Sequence, residues 1–445
     1  MSSQPAAPSD SPQPRPTALV VRTTSLDGDL DTDVAALLRL LPATGPLAWV
    51  RRGDGLVAWG EVARIETTGA ARFADAEAAW ARLRAHAIVR DDIMLPGTGP
   101  VAFGSFAFDE SSAAGGVLVV PRVVVGRRGE KSWITTITTA DAVPALSPAP
   151  TLTEVVTEAG GATPISSPGT VTYSQGAVTD DAWTAAVEEA VDRIRAGALE
   201  KVVMARDVLA RTSEPIDPRW LLTRLADSYA GCWTFSVDGM VGATPELLVR
   251  SEKGLVTSRV LAGTIRRTGG EEADLARAAV LAHSSKDLEE HEYAVTSVAQ
   301  ALEPFCQSLN VPETPFVLHL PNVLHLASDV TGVLCTTGET TPSSLSLAAA
   351  LHPTAAVCGT PTPVANALIR EIEGMDRARY AGPVGWMGGD GDGEWGIALR
   401  SAALDPADPH RIRLFAGCGV VAASDPDAEL AETEAKLEPM RHALG

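Results

Sequence analysis

Short runs of apolar, β-branched and aromatic residues punctuate the first half of the chain, at 18–22, 101–108, 117–125 and 133–138. Gly, Pro and charged residues separate them, a pattern that predicts strands joined by tight turns and favours antiparallel meanders. Residues 143–170 are rich in Pro, Ser, Thr and Gly and predict a long surface loop or a domain linker. After that stretch the period changes. Trp183, Val187, Val191 and Ile194 line one face of a helix expected over 180–196, capped by Thr179 or Asp180 and ended by Gly197. Lys201-Val-Val-Met-Ala-Arg206 returns to a strand period, with Lys201, Val203 and Ala205 on one face. Beyond it, strands expected at 231–237, 244–250, 384–388, 394–402 and 411–416 alternate with helices at 274–280, 286–303, 343–350, 363–373 and 425–438. No internal repeat is visible, and the class expected is mixed α/β with mainly antiparallel sheet.

Composition narrows the field. At 445 residues, 45% of them apolar, the chain can bury a large core as one large domain or as two or three. No run approaches the roughly 18–20 apolar residues a membrane span needs, so no membrane partner is expected. The Pro-rich segment 1–17 lacks the apolar run of a leader peptide and reads as a disordered tail, which makes the cytoplasm the default compartment. Five scattered cysteines with no Cys-x-x-Cys pair predict buried reduced thiols rather than disulfides or zinc. The net charge of −20 excludes the basic stripe of a nucleic-acid binder. It also means that an anionic ligand has to be held by local cations or a metal.

The strongest chemical signal is a pair of acidic helices. Asp287 and Glu290 stand three apart in one, and Glu429 and Glu432 repeat that spacing in the other. Such pairs project from one helix face, and two facing helices can offer four carboxylates to a hard cation, with Mg²⁺ the natural choice. The plain alternative is a solvated face with ion pairs, as Glu432 and Lys436 would make at i, i+4. Lys201, set between apolar residues, can serve as a general base if desolvation removes its proton, or can simply reach solvent from a strand end. Glu246, after Thr244-Pro245, can be a carboxyl kept protonated to donate to a leaving group, or a turn residue. His325 reads equally as a core histidine or a donor to a ligand. Gly417-Cys-Gly-Val-Val-Ala422 mimics a dinucleotide-binding turn, but too few residues follow for a βαβ unit, which leaves close approach to a small carboxylate. Asp390-Gly-Asp-Gly-Glu394 imitates a calcium loop, yet Trp395 stands where glycine is needed, so a hairpin turn is expected.

Taken in order, KVVMARDV, GATPELLVR, RVLAGTIRR, KDLEEHEYAV, LHLASDVTG, LHPTAAVCGTP, RYAGPVGW, WGIALRSA, AGCGVV and ELAETEAKL closely resemble the chorismate-utilising enzymes. That family comprises isochorismate, salicylate, anthranilate and aminodeoxychorismate synthases. The N-terminal half matches chiefly through Phe103-Gly-Ser-Phe-Ala-Phe108. The resemblance implies one large α/β domain over 18–445, two packed antiparallel sheets ringed by helices, with the motifs inside 173–442. It implies that Lys201 activates water for attack at ring carbon C2, while Glu246 protonates the hydroxyl leaving C4. Glu290 and Glu432 would hold Mg²⁺, supported by Asp287 and Glu429, and the ion would take the ring carboxylate. Arg400, Tyr380 and the Gly417 backbone would grip the enolpyruvyl carboxylate. Lys436 would lie near the ring carboxylate, and Gly263, Thr264 and His325 would lie beside the ring.

Ala262 stands where aminodeoxychorismate synthases carry a nucleophilic lysine, which disfavours that member. Anthranilate synthases draw ammonia from a glutaminase partner and carry a tryptophan-binding motif not found here, so no glutaminase subunit is expected. Ala356-Val357 resembles isochorismate synthases, whereas salicylate synthases often carry Thr at position 356. Conversion of chorismate to isochorismate is therefore the expected activity, with pyruvate elimination to salicylate as the alternative. Menaquinone and siderophore synthesis both use that product, and the expected assembly is a monomer or homodimer.

Overall fold

The β-rich runs do form strands, but three of them each divide into two because the chain changes sheets in mid-run. The computed structural model describes residues 18–26, 30, 33, 35–142, 150–160, 163–335 and 341–445, without the Lys286 side chain. The tail expected over 1–17 lies outside the described residues. Among those described, a thirteen-stranded and a ten-stranded sheet carry the fold. Their pairings are antiparallel except at one edge, where Leu19–Ser25 runs parallel to Ile88–Asp91. Trp49, Phe235 and Trp233 of the larger sheet interleave with Phe103, Val384 and Trp386 of the smaller one to make the core between them. The mixed α/β, mainly antiparallel architecture expected from the sequence is the one observed.

Residues 117–125 split at Pro121 into Gly116–Val120 of the smaller sheet and Val123–Arg128 of the larger. Residues 244–250 split at Pro245-Glu246 into Met240–Thr244 of the larger sheet and Leu247–Glu252 of the smaller. Proline offers no ladder N–H, so each break falls where pairing has to stop. The run 394–402 crosses back, as Gly393–Ile397 in the smaller sheet and Ser401–Leu404 in the larger. There Arg400 takes a left-handed φ of +48°. Strands that switch layers form the corners of a two-sheet stack.

Other expectations need adjustment. The stretch 143–170 is not all loop: Leu152–Glu158 is a helix, held by a capping box between Thr151 and Glu154 and by burial of Val155. The last helix is Pro426–Leu444 and runs past residue 438 through Pro439, because Met440, Ala443 and Leu444 reach a buried cluster. The strand expected at 411–416 runs on through Gly417 and Gly419 as Arg411–Val420. Helices Arg72–Arg84 and Pro218–Ser228 and the long pair Leu255–Arg266 and Val323–Leu334 were not separately expected. Asp390–Asp392 does turn a hairpin between Pro383–Gly388 and Gly393–Ile397. All five cysteines are free thiols, although Cys306 and Cys335 are only half-buried.

Candidate active site

Where the two sheets and their crossings meet, a cavity of about 190 Å³ opens between helices Ser285–Leu302 and Pro426–Leu444. Every residue given a site role by the family resemblance lines it.

Lys201 begins strand Lys201–Thr212, and Val203 follows it onto the cavity wall, as strand alternation requires. Its Nζ donates to Glu290 Oε1 at 2.5 Å. A Cβ at position 419 would lie 2.9 Å from Lys201 Cε, so Gly419 on the neighbouring strand makes room for this pair. Glu246 sits on the sheet crossing at Pro245-Glu246 and is 4% exposed. Burial pushes its carboxyl up to about 8, against the opposing pull of Arg400 and Lys201. At neutral pH it is therefore a carboxylic acid with a proton to give.

Arg400 on the return crossing reaches His325, with its Nη2 3.4 Å from Nε2. A guanidinium can only donate, so Nε2 accepts and Nδ1 carries the hydrogen toward Thr264 Oγ1 at 2.9 Å. Burial, reinforced by Arg400 and Lys436, holds His325 well below its ordinary value and hence neutral. His325 is buried and lines the cavity. Tyr380 stacks on Phe415 at 5.0 Å, and burial raises its phenol to about 12, so it stays a neutral donor.

Helix Ser285–Leu302 approaches because the facing strand bulges. Pairing shifts register between Ala262 and Thr264, and Gly263 adopts φ +79°. A Cβ there would lie 3.1 Å from Asp287 Cβ, so glycine lets the helix close in. His291, unremarked in the sequence, pins the helix: Nε2 lies 2.8 Å from Ser328 Oγ, and Nδ1 lies 3.3 Å from Ala262 O. Across the cavity, Lys436 Nζ donates to Gly417 O at 3.0 Å and pairs with Glu432 Oε1 at 2.5 Å. The i, i+4 pair of the plain reading thus exists, but it faces the cavity. Burial raises Glu429 above its ordinary value, whereas for Glu432 the nearby Lys436 more than offsets the effect of burial and leaves it lowered.

Asp287, Glu290, Glu429 and Glu432 share this cavity. Among the described residues, however, no three acidic, histidine or cysteine groups converge into a ready-made metal cage. Glu290 and Glu432 each lean toward a lysine, Lys201 and Lys436 respectively.

One support was missed altogether. Arg377 and Glu373 form a buried pair at 2.5 Å. Glu373 accepts from Ala205 N at 2.8 Å, while Arg377 donates to Val203 O at 2.6 Å and Val357 O at 3.1 Å. The pair thus ties the Lys201 strand to the Ala356-Val357 turn. Its sequence signal is Glu-x-x-x-Arg at i, i+4 in an otherwise apolar setting. Arg206, also buried, joins the Lys201 strand to Glu434 on the last helix at 2.6 Å.

Comparison with known proteins places these observations in context. Residues 48–445 match the family model described as chorismate binding enzyme. The chain is 36% identical over 385 residues to "Putative isochorismate synthase MenF" of Mycobacterium tuberculosis, covering 84% of this chain and 91% of that one. It is 42% identical over 270 residues to isochorismate synthase DhbC of Bacillus subtilis, spanning 58% of this chain and 66%, just under two thirds, of that protein. The solved structure of the menaquinone-specific isochorismate synthase MenF from Escherichia coli superposes with a TM-score of 0.77 at 24% identity. That match covers 98% of this chain and 97% of that chain, a likeness of fold.

Proposed function

Because this chain belongs to the chorismate binding enzyme family, we propose that it converts chorismate to isochorismate with the help of Mg²⁺. The observation that carries the reading is one cavity holding Lys201, a buried protonated Glu246 and cations for two carboxylates, with no nucleophilic side chain at Ala262.

Chorismate bears a ring carboxylate and an enolpyruvyl carboxylate. Arg400, the Tyr380 hydroxyl and the Gly417 backbone receive the latter. Lys436 meets the former, while Gly263, Thr264 and neutral His325 line the ring. Lys201, as the uncharged amine, removes a proton from the water that attacks C2, which requires it to shed a proton and leave its ion pair with Glu290 first. Glu246 delivers its proton to the hydroxyl leaving C4. Ala356 and Val357 wall the ring without a polar group to assist pyruvate loss. Residues 18–445 act as one catalytic domain.

The carboxylates fit a hard cation: Mg²⁺ takes oxygen ligands and is usually held by one or two carboxylates, with waters and substrate completing the shell. Glu290 and Glu432 would hold the ion in this reading, with Asp287 and Glu429 supporting directly or through water. When bound, Mg²⁺ supplies positive charge that holds the ring carboxylate and offsets the surrounding acids.

Incubation of purified protein with chorismate and Mg²⁺, with products separated chromatographically, tests the proposal. Isochorismate is expected. Salicylate with pyruvate as the main product would replace the isomerase reading with a lyase, and anthranilate formed only with ammonia would replace it with an amination.

A further inference from the structure

Phe108 stands two residues past strand Val101–Phe106, in the half of the chain that gives no residue to the cavity lining. It is buried and holds two distant segments at once. Its backbone N–H donates to Ala378 O at 2.9 Å, and its carbonyl accepts from His352 Nε2 at 2.9 Å. Its ring lies under the Arg377 guanidinium, 4.3 Å from Cζ, and meets the His352 ring edge-on at 5.7 Å.

Both segments continue into the cavity wall. His352 closes helix Ser344–Leu351 and opens the turn that carries Ala356 and Val357 inward. Arg377 donates to Val357 O at 3.1 Å, and its own carbonyl accepts from Tyr380 N at 3.0 Å. Ala378 and Ala381, which flank Tyr380, hold left-handed φ values of +50° and +59°. Such a backbone persists in residues other than glycine only where its surroundings fix it, and the Phe108 bond to Ala378 does so here. Burial pushes the His352 ring down to about 4, so it is neutral and carries one N–H. A carbonyl only accepts, which places that hydrogen on Nε2. Nδ1 is enclosed without a partner among the described residues, so the bond to Phe108 is the ring's one polar tie.

We propose that His352 is a positioning residue: through Phe108 it sets the gap between the Ala356-Val357 wall and Tyr380, and with it the fit of the enolpyruvyl end of the substrate. The inference rests on the isochorismate-forming reading of the cavity. Lys201 is seated separately, by the pairing of its strand with Arg411–Val420, and Glu246 by the crossing at Pro245. Loosening the gap therefore weakens the grip on substrate more than the proton transfers.

His352→Phe keeps an aromatic ring beside Phe108 and removes the donor, while His352→Gln returns a neutral N–H at similar reach. With saturating Mg²⁺, His352→Phe is expected to raise KM for chorismate about tenfold, the scale of one lost buried hydrogen bond, and to leave kcat within about threefold. His352→Gln should bring KM back to within about threefold of the parent, since its amide replaces that bond. Phe108→Leu keeps both backbone bonds and loses the ring under Arg377. It should raise KM about fivefold, the scale of a buried cation–π contact, and decides the matter if thermal melting shows that His352→Phe does not fold. An unchanged KM in the folded variant overturns the proposal. So does a loss that falls chiefly on kcat, or a His352→Gln variant no better than His352→Phe, because each marks general packing rather than a held gap. Failure of the isochorismate reading is a separate result, seen beforehand as no isochorismate from the unmodified protein.

Discussion

Glu246 is a carboxyl that stays protonated where an ordinary one would ionise, and this has two separable consequences. Its value near 8 arises from burial, so turnover should fall as pH rises through about 8 and the acid is lost. Glu246→Gln should cut kcat about a hundredfold or more, the usual scale for a positioned acid, and remove that alkaline limb. Stability carries the other consequence. In the unfolded chain the group ionises near its ordinary 4.5, so folding is favoured most below that value and loses free energy as pH climbs toward 8. The glutamine variant has no such term. Its melting temperature should therefore gain on the parent's between about pH 5 and 8, and level off above. Parallel melting curves across that window would show that the carboxyl is already ionised in the folded protein. His325 takes the opposite role: held neutral by burial and flanking cations, it adds a donor and an acceptor without adding charge.

At the scale of elements, site residues come mainly from places where regular structure is interrupted or docked. Glu246 and Arg400 lie on two of the three sheet crossings, Gly263 on a bulge, and the acidic groups on two helices that the sheets receive. This explains what could be read from the sequence and what could not. Strand and helix periods were legible because each reports one buried face, and the acidic spacings were legible because i, i+3 defines a side. The sheet changes at Pro121, Pro245 and Arg400 were not, since an apolar run looks alike whether it stays in one layer or crosses to another. Nor was His291, whose partner Ser328 is distant in the chain, or the Arg377–Glu373 brace, whose targets are backbone atoms on other segments. Roles within the cavity came from family resemblance; the fold then brought those positions together. If His291 sets the helix that carries Asp287 and Glu290, His291→Ala should weaken Mg²⁺ binding about tenfold by calorimetry, the lower end for a group that orients metal ligands. Unchanged affinity would mean that the buried face of Ala294, Val298 and Leu302 seats the helix unaided.

The whole molecule carries a net charge of −20, yet the proposed substrate is a dicarboxylate. Its long-range field therefore opposes the encounter, and attraction would begin only where Arg400, Lys436 and the proposed Mg²⁺ outweigh the surrounding acids. Those two ranges respond differently to salt. At 0.1 M ionic strength the screening length is about 10 Å, so the global repulsion fades while contacts inside a half-buried cavity are weakened much less. At saturating Mg²⁺, kcat/KM for chorismate should therefore rise, by about twofold or more, as sodium chloride increases from roughly 10 to 150 mM, while kcat stays level. The pairing matters because a change in kcat would point to the bound complex rather than the encounter. A steady fall in kcat/KM over the same range would mean that the cavity's cations project past its rim and steer the substrate in. Capture would then begin outside the protein, where the net charge is felt, instead of at the carboxylate-binding groups themselves.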